Sequence, residues 1–445
     1  MRAKFALIFL GLFLFPFLTG QSYSAQATEK ALFIDSPMLA AKIRLDLIAE
    51  AQDEILVSTH IFKEDIVGLK LLSALQEAAK RGVKVRLIVD AFGDGITPDM
   101  KAALSSKEFE IYRFRPLNFK WLQNFNKRLH DKLFIVDQKK MVLGDRNVKD
   151  EYYRISKRSF VSHEVYVEGP SVKNAANYFN SLTENKALDQ FRPVTEITDE
   201  MANKAVLLRR QVNRGKTISF SDASDWRNEL REVDSMQFLH GEVQMQGKPS
   251  NIANDILKFI GRQKKSLILQ NPYIDLTPDF KKAIRAAAAR GVKISVITNA
   301  PLANDVKMIG ALWEKNRSFF KEIGANVWEL TGDTPIDKRP FRKFELKSIK
   351  DLDRSETAVH SKMFIGDDES IISSFNLDYR SERLNLETGE LIKSKSFTDH
   401  IRSVVEHELT TLPYVKTVAP GDTLAELPGA ACITRFMSRL FRKSL

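Results

Sequence analysis

A chain of 445 residues, 43% of them hydrophobic, has the material for a substantial core and, by length, for two domains of ordinary size. Its 68 basic against 57 acidic side chains give a formal charge of +11, which suits a polyanionic partner, phospholipid surface or nucleic acid, without choosing between them. The composition excludes a disordered chain, and the single cysteine, Cys432, excludes a fold held by intramolecular disulfides.

In chain order, Arg2 and Lys4 precede an apolar run from Phe5 to Leu18, and Ala25 and Ala27 supply an Ala-x-Ala pattern. That is the layout of a secretory signal peptide over residues 1–27, with a run too short to span a membrane comfortably. Gln21 stands where a lipidated cysteine would follow Leu18-Thr19-Gly20, so lipidation is not expected. Cleavage removes Arg2 and Lys4, leaving +9 on an exported chain, periplasmic or secreted.

The rest of the sequence contains an internal duplication. ILVSTHIF (55–62) is followed by a helical stretch ending AAKRGVKVRLIVDA (78–91); LILQNPYI (267–274) is followed by one ending AAARGVKISVITNA (287–300). In each, a β-branched run precedes a helix rich in Ala and Leu, Gly ends the helix, and a second apolar run follows. This is a β-α-β unit with parallel strands. EIYRF (110–114) and NVWEL (326–330) form a further matched pair. The spacing predicts a first domain over 28–190, a linker over 191–241 and a second domain over 242–412 opening on VQMQG (243–247). A basic amphipathic tail over 413–445 follows. The fold class expected is α/β: two similar domains related by a pseudo-twofold axis.

Late in each half comes the same short stretch, RLHDKLFIVD (128–137) and AVHSKMFIGD (358–367), with His, Lys and Asp in one spacing. Each reads as a strand turning into a second strand, MVLGDRN (141–147) in the first case. If Val136 pairs with Met141 and Gly366 with Ser370, Asn147 lies across from His130 and Asn376 across from His360. His and Lys at i and i+2 share a strand face, so each hairpin gathers an imidazole, an ammonium and a carboxamide. Lys132, Lys362, Asn147 and Asn376 can donate to phosphate oxygens; His130 and His360 can attack phosphorus or carry a proton. A lone His-x-Lys is most often an ordinary surface or pocket feature. Two copies in the same frame of a repeat, in a chain with only 7 His, are not explained that way.

These residues, with GDRNVKDEY, EVYVEGP and SSFNLDYRSERLNLETG, resemble the phospholipase D superfamily and within it the two-motif bacterial cardiolipin synthases, over about Leu32 to Leu412. The resemblance implies a mixed-sheet α/β sandwich per half, both motifs meeting at the domain interface, a covalent phosphohistidine, and neither cofactor nor metal. It implies that His130 and His360 are nucleophile and general acid/base, with Glu164 and Glu387, the acids following each hairpin, bound to the far ring nitrogens. Asp137 and Asp367 complete the motifs, and their place at the turns points to a structural role. Two positions depart from the pattern: Asp145, where a small residue is usual, and Ser373, where Gly is usual. Either bears on phosphate access.

His60, His163 and His240 are weaker candidates for a substrate channel. FRPLNFKWLQNFNKRLH (114–130) mixes aromatics with bases, suiting either a lipid pocket or stacked nucleotide bases. TRFMSRLFRKSL (434–445) alternates basic and apolar residues at helical spacing and is expected to lie at a membrane interface. Three functions compete: a phosphatidyltransferase or phospholipase acting on membrane phospholipid with an alcohol, lipid or water acceptor, a nuclease of the same superfamily, and an inactive binding protein. Intact duplicate motifs disfavour the third; export and the basic tail favour lipid over nucleic acid, with the chain a monomer.

Overall fold

The computed structural model describes residues 29–115, 126–184, 188–190, 225–242, 248–301, 303–335 and 354–416. The expected signal peptide, the tail beyond 416, the VQMQG segment at 243–247 and most of the aromatic-basic stretch 114–130 lie outside them.

Two large sheets carry the duplication. In the first, the parallel strands Phe109–Phe114, Lys84–Asp90 and Glu54–Thr59 lie side by side; the hairpin Lys132–Val136 and Lys140–Gly144 adds antiparallel, followed by Glu164–Glu168, Glu29–Ile34 and Arg231–Val233. The second sheet repeats the order with Asn326–Leu330, Lys293–Asn299, Ser266–Gln270, Met363–Ile365, Glu369–Ser373 and Thr388–Lys393. Its outer strand is Ser235–His240, earlier in the chain than the 243–247 segment expected to open this half.

The crossover helices Ile66–Lys80 and Pro278–Ala289 form where the Ala-rich stretches predict them. Asp65 and Thr277 cap their N-termini through side-chain oxygens that accept from Gly68 and Phe280 N–H. Gly82 and Gly291 follow their C-caps at φ +96° and +87°, a left-handed geometry that a Cβ would strain although space is open around both. The inner faces of both sheets share one core: Leu56, Leu133 and Ile135 from the first meet Ile268, Met363 and Ile365 from the second. The outer faces are buried separately, the first under Pro37–Glu50 and Ile66–Lys80 and the second under Asn251–Arg262 and Pro278–Ala289. The strand register alternates these two destinations residue by residue, which is what a sheet covered on both faces demands.

The motif hairpins are offset by one residue from the expected register. Val136 pairs with Lys140 and Ile365 with Ser370, where Met141 and Gly366 had been the predicted partners. In the first hairpin Asp137 and Gln138 both take positive φ, +51° and +52°, which closes the turn early. The Asp137 carboxylate accepts from the backbone N–H of Gln52, Asp53 and Glu54 at 2.8–3.3 Å, and Asp367 does the same for Lys264, Lys265 and Ser266 at 2.8–3.2 Å. Both motif aspartates, counted among the site residues from sequence, therefore tie each hairpin turn to the start of the neighbouring strand, at the end away from the histidines.

The halves interlock at the motifs. Arg354–Val359, leading to His360, pairs in parallel with Arg158–Val161 of the first half, and Leu129, before His130, bridges to Leu386 of the second. His130 N–H donates to Leu386 O at 2.9 Å, and His360 N–H to Val161 O at 2.8 Å. Each histidine's backbone is thus held by the opposite half.

Candidate active site

His130, Lys132, His360 and Lys362 are all buried, between 1% and 8% exposed. Lys132 and Lys362 donate from Nζ to the carbonyl oxygens of their own histidines at 2.6 and 2.7 Å. Lys362 Nζ also lies 3.0 and 3.1 Å from the two ring nitrogens of His360. Four basic groups crowd one buried space, and their proton affinities show it. Burial, followed by Lys132 and then by His60, Lys362 and His360, holds His130 well below the usual imidazole value. Burial and then Lys362 push His360 down to about 4. Lys132 falls to about 7, from burial and then Lys362, and burial lowers Lys362 to about 8. Such depressed ammonium groups mark a place where a counter-anion belongs.

Each imidazole is oriented by a carboxylate from the other half. His130 Nδ1–H donates to Glu387 Oε2 at 2.8 Å, with Ser374 O at 3.1 Å, and His360 Nδ1–H donates to Asp145 Oδ2 at 2.8 Å. Glu387 is as expected a partner of an imidazole, that of the first motif. Glu164 is not. Its carboxylate is clamped by Arg44, at 2.5 and 2.9 Å, and by Arg146 at 3.1 Å, a buried structural ion pair. Asp145, read from sequence as a departure bearing on phosphate access, is the acid that serves His360.

The register explains the exchange. Gly144 faces Glu164 and Ser373 faces Gly389. Hence Glu164 corresponds to Gly389, Ser162 to Glu387 and Asp145 to Ser374. One half places its acid after the returning strand with serine opposite; the other half reverses the two. Steric pairing is reciprocal as well: a Cβ on Gly144 would meet Glu164 Cα at 2.8 Å, and one on Gly389 would meet Ser373 Cβ at 2.8 Å. Ser373 in place of the usual glycine is therefore accommodated by glycine on its partner strand.

The two acids differ in state. His360, Lys362 and Arg146 hold the Asp145 carboxyl far below the ordinary range against its burial, while burial of Glu387 dominates and raises it to about 8. Glu387 is nonetheless well bonded, accepting from Ser374 Oγ at 2.5 Å and Ser381 Oγ at 2.6 Å.

The asparagines diverge. Asn147 Oδ1 accepts from Ile61 N–H at 3.1 Å and Nδ2 gives one of its two hydrogens to the Tyr152 hydroxyl at 2.7 Å. Asn376 Oδ1 is buried with no hydrogen-bond partner among the described residues. Of the lone histidines, His60 touches the site: its ring lies edge-on to His130 at 5.1 Å, and its Nδ1 is 2.9 Å from Leu129 O. His163 Nδ1 contacts Ser361 Oγ at 2.5 Å and its Nε2 contacts Glu408 at 3.0 Å, bracing the second motif from behind. His240 stacks on Phe238 and lies tilted against Tyr178.

Binding of inorganic phosphate between about pH 7 and 8 is expected to take up protons. Lys132 and Lys362, held near 7 and 8 by burial, return toward the ordinary lysine value beside an anion. Titration calorimetry in buffers of different ionisation enthalpy measures this; proton release on binding would contradict the lysine placement.

The duplicated hairpins, with two acid-oriented histidines and two lysines between the halves, belong to a phosphatidyltransferase of the phospholipase D superfamily. A family profile described as "Cardiolipin synthase, PLD-like domain" matches residues 45–182 and 256–409, and the chain belongs to that family. Cardiolipin synthase C of Escherichia coli strain K12 is 29% identical over 403 residues, covering 81% of this chain and 80% of that protein. Cardiolipin synthase of Clostridium perfringens strain 13 is 26% identical over 394 residues, covering 87% and 71%. The crystal structure of phosphatidylserine synthase from Haemophilus influenzae Rd KW20 shares the fold, with a TM-score of 0.65 at 16% identity over 92% of each chain.

Proposed function

We propose that the protein transfers a phosphatidyl group from a membrane phospholipid to an alcohol, a second lipid or water through a phosphohistidine. The observation that carries this reading is the pair of buried imidazoles, each held by an acid of the opposite half, beside two lysines that make no direct ion pair among the described residues. A phosphodiester anion bound there supplies the missing charge and raises the proton affinity of His360 enough for it to act as an acid.

In-line displacement at phosphorus needs a nucleophile on one side and an acid on the other. His130 Nε2 has no hydrogen-bond partner among the described residues, and this supports His130 as the nucleophile. His360, beside an ionised Asp145, is suited to gain and lose a proton, and we assign it protonation of the leaving oxygen and deprotonation of the acceptor.

The names of the relatives support lipid as substrate. Mass spectrometry of products after incubation with phosphatidylglycerol, phosphatidylethanolamine and single-stranded DNA tests it: a phosphatidyl product or phosphatidic acid is expected, and cleavage of DNA without lipid conversion would reject it. Export and membrane attachment belong to the same reading. They are checked by N-terminal sequencing, where an intact Met1 contradicts cleavage, and by liposome co-sedimentation after truncating 434–445, where unchanged binding contradicts the tail's role.

A further inference from the structure

Five residues after Asn147 stands Tyr152, on the short 3-10 turn Asp150–Tyr153, and five after Asn376 stands Ser381. The two positions do different work. Ser381 Oγ accepts from Asn376 N–H at 3.1 Å and donates to Glu387 at 2.6 Å, so it serves the acid. The Tyr152 hydroxyl instead lies 3.3 Å from Nε2 of His360, with its ring perpendicular to the imidazole at 4.9 Å between centroids.

The directions of the bonds follow from their partners. Ile61 N–H requires the oxygen of Asn147, so the Asn147 amide nitrogen faces Tyr152 and donates to its oxygen. Asp145 takes Nδ1–H of His360, so Nε2 of the neutral ring carries the lone pair. Among the described residues the phenol O–H has one acceptor within reach, that lone pair. Tyr152 therefore shares with Lys362 Nζ, 3.1 Å away, the nitrogen through which His360 must exchange protons, while the corresponding nitrogen of His130 has no hydrogen-bond partner among the described residues.

We propose that Tyr152 is a catalytic residue of this site, its hydroxyl relaying the proton between His360 Nε2 and the substrate oxygens. This rests on the phosphohistidine reading above. In the first step His130 Nε2 bonds to phosphorus as the bond to the leaving oxygen breaks; that oxygen takes the Tyr152 O–H proton, and the Tyr152 oxygen takes Nε2–H from the His360 imidazolium. In the second, the acceptor O–H gives its proton to the Tyr152 oxygen, and the phenol proton passes to His360 Nε2. Concurrently the acceptor oxygen bonds to phosphorus and the bond to His130 breaks. His360 ends protonated, as it began. The phenol remains protonated between steps, because burial raises its proton affinity well above the ordinary tyrosine value.

The test compares the full-length wild-type chain with Tyr152→Phe, measuring formation of the phosphohistidine from a natural phospholipid and from an activated ester whose leaving group needs no proton. The variant is expected to form adduct from the natural lipid about 10²-fold more slowly and from the ester within about threefold of wild type. The ester reaction also verifies that the variant folds. In mixtures of light and heavy water, the wild-type rate on natural lipid should depend on isotope fraction with curvature, for two protons in flight. Near-wild-type adduct formation by Tyr152→Phe on natural lipid, or equal slowing on both substrates, would overturn the relay. Absence of any His130 adduct in the wild-type chain would instead reject the phosphohistidine reading itself, and the relay with it.

Discussion

His130→Ala is expected to give no radiolabelled protein from a substrate carrying a labelled phosphoryl group, and to lower turnover of natural phospholipid by more than about 10²-fold. The nucleophile is missing. His360→Ala should differ in kind: natural turnover falls as far, while an activated ester still labels His130, since only the proton donor has gone. Peptide mapping of the adduct decides between the two histidines. A label on His360 would exchange the roles, and near-wild-type turnover by either variant would contradict a two-histidine mechanism.

Asp145→Asn and Glu387→Gln should not be equivalent, although each removes the acid of one histidine. Asp145 is held ionised by His360, Lys362 and Arg146, so its loss removes a full charge from beside the ring that must become an imidazolium. An asparagine there also lets the ring adopt the wrong tautomer, and a fall of about 10³ to 10⁴ in kcat is expected. Glu387 is raised to about 8 by burial, so a neutral amide changes its character less. Ser374 and Ser381 remain to orient it, and a fall of about 10-fold is expected. Steady-state rates of the two variants on one phospholipid measure the difference. A larger loss for Glu387→Gln would place the acid/base role at His130.

Much of this was legible from the chain because periodicity and repetition report on backbone. The β-α-β units, their crossover helices and the two His-x-Lys pairs fall where the sequence puts them. What failed was register. The first hairpin was read one residue too wide because nothing local reveals that Asp137 and Gln138 both adopt positive φ, a geometry held by amides of Gln52 to Glu54 some 80 positions earlier. Glu164 was misassigned for a related reason. Its equivalence to Glu387 rests on both being acids after a returning strand, whereas the pairing of Gly144 with Glu164 and of Ser373 with Gly389 sets them two positions apart. Asp145 did carry a visible signal, a charge where the family pattern has a small side chain. Its meaning depended on His360, 215 positions away and in the other half.

The crossed acids bear on how such a molecule can arise. By the pseudo-twofold symmetry, two copies of the first half alone would place Asp145 of each against His130 of its twin, with Ser162 leaving room. Two copies of the second would place Glu387 against His360 in the same manner. Each half therefore carries a complete set for a symmetric pair. In the single chain each half instead lends its acid to the other's histidine, so neither imidazole is oriented unless both halves are folded together.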